Sequence, residues 1–238
     1  SLRNTATEVD AATKEKFALL QPATIHRLLK PVNGTPYFRH NNNHSLNYDV
    51  VIVDESSMID VALFAKLLDA IHPETRLILL GDKDQLASVE AGSLFGDLCQ
   101  AQESVTFFTA ERRAFMNTFL EDEQRHIPTC QERNNDPHPL FQHLVELRRS
   151  HRFTGNTGIG KFSRAVINND VPVIRSFFPP SADEQVIIDP AASVKLFEDF
   201  IANYAAFIKE KDIATALKRL NAQRVLVAVR EGPQGLYA

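Results

Sequence analysis

The stretch VVIVDESSMID places two adjacent carboxylates, Asp54 and Glu55, directly after a run of β-branched residues. Neighbouring side chains on a strand point to opposite faces, so this pair can share a site only if the strand ends there. Open α/β sheets bind ligands at the carboxyl ends of their parallel strands. Two carboxylates at such a place can hold a divalent cation and orient a water molecule. The alternative is structural: Asp54 caps the following helix, and Glu55 is a solvated loop residue.

A second stretch, LILLGDKDQLASVEAGSLFGDL, repeats this design with an apolar strand, a glycine turn and then polar groups. Gly81 allows a sharp turn at the strand end, which would place Gln85 beside the carboxyl end of the neighbouring strand. An amide at that position can contact a γ-phosphate or the attacking water without adding charge. Taken alone, the stretch is better explained as a plain turn with an exposed Gln85.

Together, DESSMID and GDKDQLASVEAG resemble motifs II and III of superfamily 1 DNA helicases of the RecD type. The resemblance implies the Walker B roles of P-loop NTPases, in which Asp54 binds Mg²⁺ and Glu55 orients and deprotonates the attacking water. It also implies that Gln85 senses the γ-phosphate of ATP.

Two more stretches resemble elements of this family. ATIHRLL is similar to the T-x-H-x-x-L element that lies against single-stranded DNA, carried here by Thr24 and His26. VELRRSHRF is similar to motif IV, whose arginine, here Arg152, reaches the ATP site when two motor lobes close. The structural alternatives are that Thr24 is an ordinary helix cap and that the basic residues around Arg152 form a solvated rim or bind DNA phosphates non-specifically. RVLVAVREGPQG resembles a strand and turn of the second lobe, and Arg230 in it receives no role.

The resemblance implies an ATP- and Mg²⁺-dependent DNA helicase that moves 5′ to 3′ along single-stranded DNA in double-strand break repair and recombination. Its partners would be RecB-like and RecC-like subunits of the helicase-nuclease exonuclease V, in the cytoplasm. Two other classes stay open. A degenerate motor domain could be a non-catalytic scaffold that binds partner subunits. A carboxylate-metal nuclease would need further acidic ligands to converge on Asp54 and Glu55, and Asp82 and Asp84 are the nearest candidates.

The phosphate-gripping loop of this family, GxxxxGK(S/T), occurs nowhere in the 238 residues. Its backbone amides and its lysine cradle the β- and γ-phosphates. We therefore expect the chain to be a central fragment of a longer polypeptide. By itself it should have no appreciable ATPase activity, while the intact parent is active.

The elements that must position these residues follow from the apolar pattern. Runs bounded by turn residues predict strands at 50–53, 77–80, 186–188 and 225–229, and helical periodicity predicts helices at 58–71, 160–168 and 192–220. Alternating strands and helices predict an α/β fold with a mostly parallel sheet covered on both faces. The resemblance specifies partial RecA-like P-loop motor domains.

Two irregular stretches divide the chain. The sequence of residues 30–48 indicates an excursion from the first domain, with Asn33-Gly34 as a tight hairpin turn. Residues 121–139 are polar and rich in proline, which indicates a connector between two domains. We expect residues 1–120 to be the later part of a first motor domain and residues 140–238 to be the start of a second.

Composition excludes few functions. The formal net charge of −4 means that nucleic-acid binding would rest on local patches. The two cysteines lie far apart in the sequence and favour a reducing compartment, and no apolar run is long enough to cross a bilayer.

Overall fold

The computed structural model of the protein describes most of the chain. The described residues are 10–85, 94–101, 105–120, 122–133, 136–147, 153, 156–180, 183–190, 195–232, 235 and 237. The chain forms two compact units, Ser1–Arg148 and Arg149–Ala238. The finer division into two motor domains joined by residues 121–139 stays a prediction.

The first unit contains a small sheet with helices around it. Its helices are α1 (Ala11–Leu19), α2 (Ile25–Leu29), α3 (Val61–Ala70), α4 (Leu94–Gln100) and α5 (Ala110–Asn117). Its strands are β1 (Val50–Val53) and β2 (Arg76–Leu79), and short 3₁₀ turns occupy Ser56–Met58, Glu123–Arg125 and Thr129–Gln131.

β1 and β2 pair in parallel, with Val50 opposite Arg76 and Val53 opposite Leu79. This pairing confirms the α/β class and the parallel sheet. Val51 and Val53 are buried, whereas Val50 and Ile52 are 47% and 55% exposed. Among the described residues the sheet is thus covered on one face and not on both, because α2 and α3 pack on the side of Val51 and Val53.

The core of the first unit is built by α3. Its N-cap, Asp60, accepts a hydrogen bond from the backbone N–H of Leu63 at 2.8 Å, which fixes where the helix begins. Phe64, Leu67 and Ala70 then follow at helical spacing and are all buried. Leu67 is fully buried, so its truncation to alanine would cost about 2–5 kcal/mol.

The excursion at 30–48 does contain the predicted hairpin. Pro31 and Phe38 form an antiparallel bridge, and the N–H of Thr35 donates to the carbonyl of Val32 at 3.1 Å across a turn with Asn33-Gly34 at its centre. Gly34 has φ +76°, a left-handed conformation that glycine adopts without steric cost. The Asn33-Gly34 prediction is therefore confirmed.

The residues that follow α5 are irregular but docked. The N–H of Ile127 donates to Oδ1 of Asn117 at 2.9 Å, and Nδ2 of Asn117 donates back to the carbonyl of Ile127 at 3.3 Å. Arg113 adds an ion pair to Glu132 at 3.2 Å. These contacts hold residues 127–132 on the surface of α5.

The regular elements that the structure describes in the second unit are helices, separated by irregular segments. Its helices are α6 (Gly158–Ile167), α7 (Val171–Arg175), α8 (Lys195–Lys209) and α9 (Ile213–Ala222). No helix among the described residues combines the length and the apolar character that crossing a bilayer requires.

The strands predicted at 186–188 and 225–229 are wrong, since neither segment has strand conformation. At the first, Oδ1 of Asp183 accepts hydrogen bonds from the N–H groups of Gln185 and Val186, both at 2.9 Å, which makes a turn. At the second, Leu226 is 93% exposed. A strand needs a neighbour for its ladder hydrogen bonds, and neither segment has one among the described residues.

The stretch predicted to be helical at 192–220 is helical over most of its described length, but it forms the two helices α8 and α9 because capping interrupts it. Oε1 of Glu210 accepts hydrogen bonds from the N–H groups of Lys211 and Asp212, at 3.0 and 3.3 Å. Asp212 then caps α9 through the N–H of Thr215 at 2.9 Å. Asp side chains that bond nearby backbone groups favour such helix starts over helix interiors.

Candidate active site at the ends of two parallel strands

β1 ends immediately before the two carboxylates. Glu55 has φ 54° and ψ 41°, a left-handed conformation that is uncommon for a residue other than glycine. The chain therefore turns at once after the strand, and both Asp54 and Glu55 are exposed. Such backbone strain costs about 1–3 kcal/mol and tends to occur at functional sites.

The alternative role of Asp54 as a helix cap is not what the structure shows. Oδ1 of Asp54 accepts a hydrogen bond from the N–H of Glu55 at 3.0 Å. The helix that follows, α3, is capped by Asp60 instead. The carboxylate of Asp54 is thus held locally at the strand end.

The loops that follow β1 and β2 are joined by backbone hydrogen bonds. The N–H of Leu80 donates to the carbonyl of Val53, and the N–H of Ser56 donates to the carbonyl of Leu80, both at 2.8 Å. The polar residues after both strands therefore leave the sheet at the same edge. The parallel pairing predicted from the sequence has this consequence, because the carboxyl ends of neighbouring parallel strands lie at the same edge of a sheet.

Gly81 lies where these loops are closest. A Cβ at this position would lie 3.0 Å from two ring carbons of Phe95 and 3.1 Å from the backbone nitrogen of Ser57. Glycine at this position permits the close approach of the two loops, and its φ is not in the left-handed region.

The turn after Gly81 carries Gln85. The N–H of Asp84 donates to Oδ1 of Asp82 at 3.0 Å, and the N–H of Gln85 donates to the carbonyl of Asp82 at 3.3 Å. The side chain of Gln85 is exposed. It lies on the same edge as Asp54 and Glu55, and its contact with a phosphate stays a prediction.

Sequence reasoning missed two features of this edge. Ser56 and Ser57 are 1% and 2% exposed. Oγ of Ser56 donates to the carbonyl of Val53 at 3.1 Å, whereas Oγ of Ser57 finds no hydrogen-bond partner among the described residues. The other feature is an ion pair at 3.0 Å between Lys83, in the turn of Gln85, and Glu146. A buried serine pair leaves no trace in the apolar pattern, and a contact across 63 residues leaves no periodic signal.

Two ionisable groups at this edge, Lys83 and Cys99, have shifted pKa values. The hydrogen bond and the charge of Glu146 raise the pKa of Lys83 above its ordinary value. Burial raises the pKa of the Cys99 thiol, against the opposing charge of Lys83.

The other predicted site residues lie elsewhere. The side chain of Thr24 accepts a hydrogen bond from the N–H of Arg27 at 3.3 Å. Thr24 is therefore the N-cap of α2, which is the structural role considered for it above. His26 is exposed, and its ring lies 5.7 Å from that of Phe38 on the hairpin. Arg152 lies outside the described residues. The DNA-contact roles of Thr24 and His26 and the catalytic role of Arg152 stay predictions.

The chain contains a near match to the missing phosphate loop in GNTGIGKF, where Phe162 stands in place of Ser or Thr. Its described residues, 156–162, do not form a phosphate cradle. The segment is already helical from Gly158, and the N–H of Ile159 donates to Oε1 of Gln185 at 3.2 Å. One backbone N–H group at the start of this helix is therefore already hydrogen-bonded to a side chain.

Asp54 is a suitable ligand for Mg²⁺ bound together with ATP. Mg²⁺ is typically held by one or two carboxylates plus substrate phosphates, and Asp54 offers an exposed carboxylate at the strand end. Within the described ranges, no three His, Cys, Asp or Glu side chains are grouped as a metal site. The acidic cluster that a two-metal nuclease requires is thus not formed by the described residues.

Comparison with known proteins agrees with this geometry. Residues 3–91 match the family described as AAA domain. The RecBCD enzyme subunit RecD of Haemophilus influenzae is 34% identical over 194 residues, which are 80% of this chain and 29% of the relative. RecD of Mycolicibacterium smegmatis is 30% identical over 236 residues, 96% of this chain and 35% of the relative. The ATP-dependent RecD2 DNA helicase of Deinococcus radiodurans is 40% identical over 99 residues, 42% of this chain and 14% of the relative.

The chain spans about a third of the length of these RecD relatives. The similarity to RecD covers nearly all of the chain in several of them. With the AAA domain match and the parallel strand ends that carry Asp54 and Glu55, it confirms the resemblance drawn from the motifs: the chain is similar in sequence to RecD, and it has the α/β fold of P-loop NTPases.

Proposed function

We propose that the polypeptide carrying this chain is an ATP-dependent DNA helicase subunit that moves 5′ to 3′ along single-stranded DNA in double-strand break repair and recombination. The names of its relatives, RecBCD subunit RecD and RecD2 DNA helicase, support the proposal. RecB-like and RecC-like subunits are its proposed partners, and the cytoplasm is its proposed location.

One observation carries the enzymatic part of the proposal. The carboxylates after β1 and the Gln85 turn after β2 leave one sheet edge, and hydrogen bonds of 2.8 Å join the two loops. Phosphoryl transfer needs a metal ligand, a group that orients water and a neutral sensor of the γ-phosphate close together. Asp54, Glu55 and Gln85 have the chemistry for these three tasks.

Each residue has a distinct proposed role. Asp54 holds Mg²⁺, Glu55 orients and deprotonates the attacking water, and Gln85 contacts the γ-phosphate. Arg152 completes the set by offering a guanidinium to phosphate oxygens. Bound Mg²⁺–ATP supplies the phosphoryl group and the charge that neutralises its oxygens. Thr24 and His26, exposed at the start of α2, contact the DNA backbone.

The test is Glu55→Gln in a RecD-type polypeptide that contains this chain and a GxxxxGK(S/T) loop. A general base contributes about 10²–10⁴-fold to the rate, so turnover should fall at least ~100-fold while ATP binding persists. Glu74→Gln, an exposed glutamate in the loop before β2, is the matched control and should leave turnover unchanged.

Unchanged turnover in Glu55→Gln would remove Glu55 from its role. If the unsubstituted polypeptide binds partner subunits but hydrolyses no ATP, the scaffold function replaces the helicase. The chain by itself, which lacks the phosphate loop, should show no ATP hydrolysis in a phosphate-release assay, and turnover by it would contradict the assignment.

A further inference from the structure

The ion pair between Lys83 and Glu146 joins two segments that are far apart in sequence. Nζ of Lys83 lies 3.0 Å from Oε1 of Glu146, across 63 residues. Lys83 is two positions before Gln85 in the turn after β2. Glu146 lies three positions before Arg149, the first residue of the second unit.

The partner of Lys83 is not the nearest one in the chain. Asp82 and Asp84 flank it, and either offers a carboxylate within the same turn. The ion pair nevertheless forms with the remote Glu146, and its hydrogen bond and charge keep Lys83 cationic by raising its pKa. The turn is thereby tied to a distant segment.

The segment that contains Glu146 is held on its other side by Thr106. The N–H of Thr106 donates to the carbonyl of Leu144, and the N–H of Glu146 donates to Oγ1 of Thr106, both at 2.9 Å. Thr106 itself has φ 63°, a left-handed conformation. These hydrogen bonds hold the backbone of residues 144–146 in place. A displacement of Lys83 therefore pulls on a segment whose position is fixed.

The pair is a poor stabilising device. The side chains of Lys83 and Glu146 are 43% and 33% exposed, and ion pairs this accessible to water contribute little to folding. Removing the ion pair should therefore change the free energy of unfolding little, so an effect of its removal on movement along DNA can be separated from an effect on folding.

We propose that Lys83 and Glu146 are positioning residues that couple the Gln85 turn to the segment through which the chain enters its second unit. The inference rests on the proposed function. When the γ-phosphate leaves, Gln85 loses its contact and the turn relaxes. The ion pair passes that change to residues 144–146 and so to the start of the second unit, which links hydrolysis to movement along DNA.

The experiment uses the RecD-type polypeptide that contains this chain and a phosphate-binding loop. Lys83→Gln removes the pair, Lys83→Arg preserves its charge, and the double variant K83E/E146K reverses it. Arg219→Gln is the matched control, since Arg219 and Glu210 form an ion pair at 3.3 Å with side chains 42% and 23% exposed. The measurements are kcat and KM for ATP with single-stranded DNA, and the nucleotides moved per ATP hydrolysed.

We expect Lys83→Gln to lower the nucleotides moved per ATP by about threefold or more, with KM for ATP unchanged. Lys83→Arg should retain the ratio, K83E/E146K should recover most of it, and Arg219→Gln should match the unsubstituted protein. Urea unfolding of each variant checks that stability is little affected.

The inference is overturned if Lys83→Gln leaves the ratio unchanged, if Lys83→Arg is as impaired as Lys83→Gln, or if Arg219→Gln is equally impaired. ATP turnover of Glu55→Gln and of the unsubstituted polypeptide, measured in parallel, distinguishes a failure of the proposed function from a failure of the coupling. Absence of ATP hydrolysis by the unsubstituted polypeptide refutes the proposed function itself, whereas retained turnover in Glu55→Gln removes only Glu55 from its role. Lost turnover in Glu55→Gln together with a normal ratio in Lys83→Gln refutes the coupling alone.

Discussion

Replacing Gly81 with alanine tests whether the close approach of the two strand-end loops is what the site requires. The new Cβ would lie 3.0 Å from ring carbons of Phe95 and 3.1 Å from the nitrogen of Ser57. Carbon atoms pack best at about 3.5–4.0 Å, so the neighbours must move by roughly 0.5 Å. The ring of Phe95 can rotate away, but the backbone of Ser57 belongs to the loop that carries Glu55.

The cost follows from two opposing effects. Overpacking destabilises by about 1–3 kcal/mol. Alanine also restricts the unfolded chain, which returns about 0.4–1 kcal/mol. The net effect should be a loss of about 1 kcal/mol in the free energy of unfolding. Far-UV circular dichroism during urea unfolding measures it.

Gly34→Ala provides a control with a similar stability cost and a different cause. No atom lies within 4 Å of a Cβ at Gly34, but its φ of +76° penalises alanine by about 1–2 kcal/mol. Gly34 lies on the hairpin, outside the strand-end loops.

Only Gly81→Ala should therefore affect catalysis. A displacement of catalytic groups by about 1 Å can cost 10²-fold in rate, so a shift of roughly half that should lower ATP turnover by about tenfold. The assay is ATP turnover by the RecD-type polypeptide that contains the phosphate loop. Normal turnover and normal stability in Gly81→Ala would refute the close-approach reasoning, and an equal loss in Gly34→Ala would assign the effect to general destabilisation.

Three other predictions concern single residues. Asp60→Ala removes the cap of α3 and should lower the free energy of unfolding by about 1 kcal/mol in urea titrations, whereas Asp60→Asn should lose only a fraction of that. Cys130 is exposed, whereas burial raises the pKa of Cys99, so a thiol reagent at neutral pH should modify Cys130 first and Cys99 more slowly. Cys130→Ser should abolish the fast phase of modification, and a fast phase that persists in this variant would contradict the assignment. Hydrogen bonds from Thr215 lower the pKa of Asp212 below its ordinary value of 3.8, so the cap stabilises α9 above that pH and is lost as pH falls through the lowered value. Helicity measured by circular dichroism should decrease over this acid range, and Asp212→Asn should decrease less.

The first unit was predictable from sequence where structure depends on neighbouring residues. The run of β-branched residues at 50–53 predicted β1, and Asn33-Gly34 predicted the hairpin turn, because both signals act over a few residues. The capping chemistry that ends α8 and starts α9 was also present in the sequence KEKDI, but helical periodicity over 192–220 concealed it.

The failures share a physical reason. Residues 186–188 and 225–229 have strand composition, yet a strand forms only when another segment satisfies its backbone hydrogen bonds. Composition describes the segment, whereas pairing depends on what lies beside it. The same reason applies to the face of the sheet that carries Val50 and Ile52. These side chains are apolar, but that does not determine whether another element packs against them.

By itself, the sequence determined the residue types and the local geometry of the candidate site: a strand that ends at Asp54 and Glu55, and a glycine turn that leads to Gln85. Only the tertiary structure decided that hydrogen bonds join the two strand-end loops, that a Cβ at Gly81 would meet the backbone nitrogen of Ser57, and that Lys83 pairs with Glu146 across 63 residues. Local conformation follows from the preferences of adjacent residues. Contacts between distant segments depend on the path of the whole chain, because the same side chain can meet many partners that the sequence does not distinguish.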